Sequence, residues 1–203
     1  MNENLIAYLI AYILGGIPFG LIFGKIFANV NITEAGSGSI GATNVLRVLK
    51  EKEPKKAKKI AILTVVCDVL KGILPLFVAK AIGLSEQTLW AMAVLSVIGH
   101  CFSPFLKFEG GKGVATGAGV LGFFLPFELI IALVVWFVVG KVLKISSLAS
   151  LAALLAIVLS SFVVTSQTAI HSHAPILIIA YIVFYKHIPN IRRLLSGQET
   201  KVI

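Results

Sequence analysis

Three cations stand among small polar residues in three separate stretches of this sequence. Arg47 lies in GSGSIGATNVLRVLK (36–50), Lys112 in KFEGGKGVATGAG (107–119) and Arg193 in YKHIPNIRRLLSGQETK (185–201). Two planar guanidinium forks and one ammonium point charge, flanked by hydroxyls and amides, suit a doubly charged phosphate ester. In the first stretch Gly36 and Gly38 permit tight turns and close approach of backbone to a ligand. Ser37 and Ser39 can bond a nearby N–H group or a phosphate. From Gly41 onward the pattern is a short amphipathic helix. Val45, Leu46, Val48 and Leu49 are its greasy side, and Thr43, Asn44 and Arg47 recur at spacings of three and four, so they share a polar face. Taken alone, the same segment also reads as an interfacial helix with its arginine among headgroups.

The second stretch runs bare N–H groups into a helix start beside a lysine, which makes an anion site by geometry and dipole. It is not a nucleotide loop of the Walker type: Leu106 and Gly113 stand where that pattern needs Gly and Ser or Thr. Gly113 and Gly117 also form a small-xxx-small packing pair, but packing leaves Lys112 unexplained. Glu109 reads as a rim charge. In the third stretch Pro189 fits the first turn of a new helix. The preceding apolar segment therefore ends near His187, and Asn190 and Arg193, three apart, belong to the next helix. Arg192 and Arg193 alone are equally a charged flank.

Other groups support several readings. Asp68 and Lys71, three apart in VCDVLKGILP, neutralise one another inside an apolar run; the pair is structural or supports a site nearby. His100 lines a pocket or bonds a freed helix carbonyl. Of Ser146, Ser147 and Ser150, one is expected to cap a helix and another to face the pocket. His171 and His173 in SQTAIHSHAP offer too few ligands for a metal, and no metal or organic cofactor is expected. Cys67 and Cys101 read as packing residues, not as a disulfide.

These groups need elements to hold them, and the composition says which kind. Of 203 residues, 58% are hydrophobic and 13% charged, with a mean hydropathy of +0.97; soluble domains are roughly 45–50% apolar and about 25% charged. The expectation is one integral membrane domain over residues 1–203. MNENLIAYLI lacks a basic flank and a cleavage site, so the first apolar run is expected to be retained. The net charge of +9 lies at the ends of apolar runs, which speaks for topology and against nucleic acid. Spans are expected at 5–24, 60–82, 88–106, 114–125, 127–143, 149–166 and 172–186. The run from 114 to 143 is divided at Leu125–Glu128 because, so divided, all but Lys71 and Lys80 of the 18 lysines and arginines fall on one side. The expected fold is thus an all-α polytopic membrane protein with seven transmembrane helices, N-terminus outside and C-terminus cytoplasmic, plus short interfacial helices. Segment 114–125 is too short for the ~30 Å hydrocarbon core. Its glycine-rich start is therefore expected in a sunken, cytoplasm-facing pocket, since irregular backbone at membrane depth must be enclosed by protein or a wet cavity.

GSGSIGATNVLR, GHCFSPFLKFEGGKGVATGAG and HIPNIRRLLSGQE, with DVLKG at 68–72 and SLAS at 147–150, resemble one family in order along nearly the whole chain. It is the bacterial acyl-phosphate-dependent glycerol-3-phosphate acyltransferases. Ser39, where the family usually has Asn, Lys186, where it often has Arg, and Pro189 are departures. The resemblance implies that Ser37, Thr43, Arg47, Lys112, Ser150, His187 and Asn190 line an active site and that Gly110, Gly111 and Gly113 cradle a phosphate. It implies a long-chain acyl phosphate from the bilayer and glycerol 3-phosphate from the cytoplasm as substrates, with lysophosphatidic acid as product. The expected mechanism is direct attack by the 1-hydroxyl, with Lys112, Arg47 and the glycine amides holding the two phosphates and stabilising developing charge; Arg193 is expected to bind phosphate. The base is His187 or the substrate's own phosphate. No nucleophile elbow is present, in keeping with an already activated donor. The basic stretch 50–59 is expected to touch anionic lipid. The rival from another class is a transporter or channel for a phosphorylated anion, against which stand the lack of paired broken repeats and the gathering of the polar stretches on one face.

Overall fold

The computed structural model describes residues 3–165 and 168–201; Ser166 and Gln167 of the expected outer loop lie outside the described residues. Ten α-helices run in chain order: α1 Glu3–Gly16, α2 Phe19–Ala28, α3 Ala42–Lys52, α4 Pro54–Ala81, α5 Glu86–Cys101, α6 Val114–Phe124, α7 Pro126–Leu143, α8 Ser146–Val163, α9 Ala174–Lys186 and α10 Ile188–Leu195. Prolines open α4, α7, α9 and α10, where a missing N–H and a fixed φ are tolerated. Ser85 caps α5 by accepting from the Thr88 amide at 3.3 Å. Four helices are long and apolar enough to cross a membrane, and six spans result if the bent pairs α1/α2 and α9/α10 each count as one. The eleven-residue α6 extends only about 16 Å.

The segment expected as the first span, 5–24, is formed by two helices, α1 and α2, bent by 41°, with α2 continuing to Ala28. Pro18 lacks the N–H that would carry the helix through, and at the break the Ile17 carbonyl accepts from the Phe19 amide at 3.1 Å. Lys71 of α4 donates to that oxygen at 2.8 Å while pairing with Asp68 at 2.7 Å. The buried ion pair thus spends its cation on a broken helix in a neighbouring element, which gives the structural reading of this pair a specific target.

Helices meet where side chains are absent. A Cβ on Gly99 of α5 would strike the Tyr12 carbonyl, and one on Gly15 would strike that of Ser96, so α1 and α5 are in backbone contact. Ser103 donates to the Gly16 carbonyl at 2.6 Å and Ser96 to that of Ala11 at 3.3 Å across this crossing. The α4–α6 crossing is similar, with Gly119 against the Val69 carbonyl. Association by close backbone approach and interhelical hydrogen bonds is what an apolar surround requires, because lipid supplies no hydrophobic drive. The large exposed side chains of α1, α4, α7 and α8, such as Leu9, Val78, Phe137 and Leu159, face outward as a lipid-contacting surface would.

Replacing one partner of the Asp68–Lys71 pair leaves a buried charge alone. Lys71→Met should lower stability by about 3–5 kcal/mol, whereas Asp68→Leu combined with Lys71→Met should cost less than that single change. Thermal unfolding of the purified variants in lipid checks both.

Candidate active site

The three polar stretches come together. Thr43 Oγ1 and Ser146 Oγ share a hydrogen bond of 3.0 Å, joining the first stretch to the start of α8. Glu199, from the tail after α10, accepts from Ser147 Oγ at 2.8 Å and Asn190 Nδ2 at 2.6 Å. Its other oxygen accepts from Arg193 Nε at 2.6 Å. One cavity of about 340 Å³ is lined by Ser37, Thr43, Arg47, Lys112, Gly113, Ser150, His187 and Asn190, among others. This volume lies within the range of small-molecule sites.

Each polar group is positioned by its own local chemistry. Asn44, expected to share a ligand-facing surface with Arg47, is instead consumed by the loop before it. Its Oδ1 accepts from the Ser37 amide at 2.8 Å, and its Nδ2 donates to the carbonyls of Ile32 at 2.8 Å and Ser39 at 2.9 Å. Asn44 is 2% exposed and holds the left-handed turns at Gly36 and Gly38 (φ 64° and 68°) in place. That folds the Ser37 loop against the Arg47 stem, 3.3 Å from where a Cβ on Gly36 would sit. Asn44 lines the cavity while its amide is bonded to this loop.

The glycine-rich stretch also has internal partners. Of Gly110, Gly111 and Gly113, only Gly113 lines the cavity. The Gly111 amide is already donated to the His100 carbonyl at 3.0 Å. Cβ atoms on Gly110 and Gly111 would collide with His100 backbone and ring. These two glycines let the loop lie flat on the end of α5, which delivers Lys112 to the cavity. Gly113, with φ 80°, is the residue before the first turn of α6, whose leading N–H groups lack intrahelical acceptors. Two readings were open for His100. It lines the cavity, and it is its main-chain carbonyl, not its ring, that bonds the loop. Its Nδ1 lies 3.8 Å from Asp68 Oδ1.

The serines of α8 do not cap their helix; its N-cap position is Ile145, without a side-chain bond. Ser146 and Ser147 are spent on Thr43 and Glu199 as above, and Ser150 donates to the Ser146 carbonyl at 2.9 Å while facing the cavity. The α9–α10 break at His187 follows Pro189 as expected. His187 is 1% exposed, and its Nδ1 lies 2.7 Å from the Val183 carbonyl. A carbonyl only accepts, so Nδ1 carries the proton and Nε2 of the neutral ring keeps its lone pair. Asn190 Oδ1 is buried without a partner, so the amide that anchors Glu199 still has an acceptor to offer. Glu109 is an exposed rim residue. His173 is occupied by the carbonyls of Ser161 and Thr165, both at 3.2 Å. No group of His, Cys, Asp or Glu among the described residues could hold a metal ion.

Glu199 is the site residue that motif reading passed over. Burial alone would raise its pKa. The hydrogen bonds from Asn190, Arg193 and Ser147 outweigh burial and hold it below the usual carboxylate range. A carboxylate at the centre of this arrangement reports an environment built for oxyanions. For the Lys112 ammonium burial prevails: it lowers the pKa, Glu199 raises it, Arg193 and Arg47 lower it, and the result is about 8. A desolvated ammonium with two arginines near it suits a bound anion.

Comparison with known proteins decides what this anion site belongs to. The family description "Glycerol-3-phosphate acyltransferase" matches residues 5–197. The chain belongs to the glycerol-3-phosphate acyltransferase family. A relative of that name from Campylobacter concisus is 69% identical over 99% of this chain and 100% of its own length. Another, from Campylobacter lari, is 63% identical with the same coverage. A crystal structure of PlsY (YgiH), described as an integral membrane glycerol 3-phosphate acyltransferase in its glycerol 3-phosphate form, superposes with a TM-score of 0.87 at 34% identity. It covers 98% of this chain and 96% of that one. Its lysophosphatidic acid form gives 0.86. This acyltransferase is an integral membrane protein.

The charge state of Lys112 in the acyltransferase can be titrated. Between pH 7 and 9, where a phosphate monoester is dianionic, its association constant should fall as pH rises through about 8, approaching tenfold per unit above it. Glu199→Gln removes a neighbour that raises the Lys112 pKa, so the fall should begin at lower pH. Calorimetric binding across this range checks both.

Proposed function

We propose that the acyltransferase moves a long-chain acyl group from an acyl phosphate to the 1-hydroxyl of glycerol 3-phosphate. The product is lysophosphatidic acid, made in the bacterial cytoplasmic membrane as an early step of phospholipid synthesis. One observation carries this reading. The lining of one cavity includes both the polar Arg47, Lys112 and His187 and an apolar set, which we call its arm, of Val114, Leu121, Leu129, Trp136, Leu154 and Ile157. A phosphorylated headgroup suits the first part and a hydrocarbon chain the second.

The donor is already activated, so the hydroxyl oxygen attacks the acyl carbon directly. The bond from acyl carbon to phosphate oxygen breaks, and inorganic phosphate leaves. His187 Nε2 takes the hydroxyl proton. Arg47 and Lys112, which line the cavity, hold the two phosphates side by side, which converts encounter into a near-attack arrangement. Arg193 acts from the rim, through the Glu199 and Asn190 network. The first-turn amides of α6 after Gly113, with Lys112, face the charge that develops. Ser37, Thr43 and Ser150 complete the polar wall, and Asn190 Oδ1 is an acceptor for a substrate hydroxyl.

The topology that fits this chemistry has seven crossings, with α6 as the short one, N-terminus outside and C-terminus in the cytoplasm. It rests on the distribution of lysines and arginines and on the α6–α7 turn at Leu125. The polar end of the cavity then opens to the cytoplasm. Helix α4, at 28 residues, is about 42 Å long and exceeds the hydrocarbon core by about 12 Å. Its surplus end carries exposed Lys55, Lys56, Lys58 and Lys59, which suit anionic headgroups.

Purified protein supplied with palmitoyl phosphate and labelled glycerol 3-phosphate should form labelled lysophosphatidic acid. His187→Ala should lose nearly all turnover while glycerol 3-phosphate still binds. Absence of product from every acyl donor would overturn the reading. A modest loss in His187→Ala would move the base role to the substrate phosphate.

A further inference from the structure

The apolar arm has a definable far end. On α6 the lining stops at Leu121, on α8 it stops at Ile157, and on α7 it begins at Leu129, beside the α6–α7 turn. Eight residues of α6 separate Gly113 from Leu121, about 12 Å, and ten residues of α8 separate Ser147 from Ile157, about 15 Å. A chain lying along these helices from the polar end meets this limit after roughly half the ~30 Å core.

Leu129 is distinct among the three limiting side chains because a glycine sets its place. A Cβ added to Gly122 would stand 2.5 Å from Leu129 Cδ2. The next two atoms it would meet are also those of Leu129, at 3.7 and 4.0 Å. No backbone is among these contacts. The isobutyl group therefore leans into the space that Gly122 leaves empty, and its other side borders the arm. Removing Leu129 lengthens the arm, and filling the space at Gly122 pushes a flexible side chain into it.

We propose that Leu129, seated on Gly122, is the gauge of acyl-chain length. The inference rests on the acyl-transfer reading above and goes beyond it by naming a residue pair that selects the substrate. Two substitutions on facing helices should move the preference in opposite directions, which a loss of packing alone would not do.

The test gives the wild type, Leu129→Ala and Gly122→Ala, each in lipid nanodiscs, an equimolar series of saturated acyl phosphates from lauroyl to arachidoyl. Product chain lengths are read by mass spectrometry. Leu129→Ala should shift the product distribution towards chains about two carbons longer. Each methylene newly buried changes relative kcat/KM by about fourfold, the equivalent of roughly 0.8 kcal/mol. Gly122→Ala should shift the distribution to shorter chains by a similar step. If Gly122→Ala does not fold, Leu129→Phe supplies the shortening arm. Active variants with the wild-type distribution, or with shifts in the same direction, overturn the gauge. A wild type that transfers no chain at all refutes the acyl-transfer reading, and the gauge with it.

Discussion

Lys71 crosses from α4 to the Ile17 carbonyl, where α1 gives way to α2, and much else is arranged around that bond. A broken helix surrounded by apolar side chains must find a donor within the protein. A buried lysine needs a counter-charge, which Asp68 supplies. Asp68 borders the cavity and lies beside His100, and the carbonyl of His100 receives the glycine loop that presents Lys112. Beyond the break, α2 brings Gly20 against the Ile40 carbonyl, which sets the Ser37 loop. Both polar loops are thus referred to the same interruption in the first helices. The requirement that no polar group be left unpaired in hydrocarbon links them.

The same rule operates inside the site. Asn44 saturates the loop before α3, Gly111 gives its amide to His100, and Glu199 draws Asn190, Arg193 and Ser147 together. These are internal contacts that hold cations and hydroxyls at one end of a cavity. What is left for a ligand is Arg47, Lys112, the start of α6, Nε2 of His187 and Oδ1 of Asn190. The set is smaller than the motifs suggest, and it is better ordered because the other residues are committed to it.

Much of this was legible from spacing. The turn at Leu125, the break before Pro189, the amphipathic helix after Gly41 and the convergence of three polar stretches follow from periodicity, proline chemistry and charge. What was not legible depends on partners far away in sequence. Nothing local says that Gly111 will meet His100, since the crowding that demands a glycine there comes from another helix. Asn44 carried the right spacing for a polar face, yet its amide found the carbonyls of Ile32, Ala35 and Ser39 first. Glu199 is an ordinary tail acid until Gly197, with φ 70°, ends α10 and turns the chain back. The bend at Pro18 did carry a local signal, which the length of the surrounding apolar run obscured.

The cavity also has an orientation. Its charged end lies at the start of α6 and its apolar arm runs beside the helices, so an amphiphile held there has the alignment of a lipid in a leaflet. Leaving the site then needs only a sideways slide between helices. No phosphate has to be drawn through hydrocarbon, a passage that would cost several kcal/mol or more per charge. A soluble enzyme making the same compound would have to lift a hydrocarbon chain out of water at every turnover. In the acyl-transfer reading proposed above, the chain stays out of water throughout.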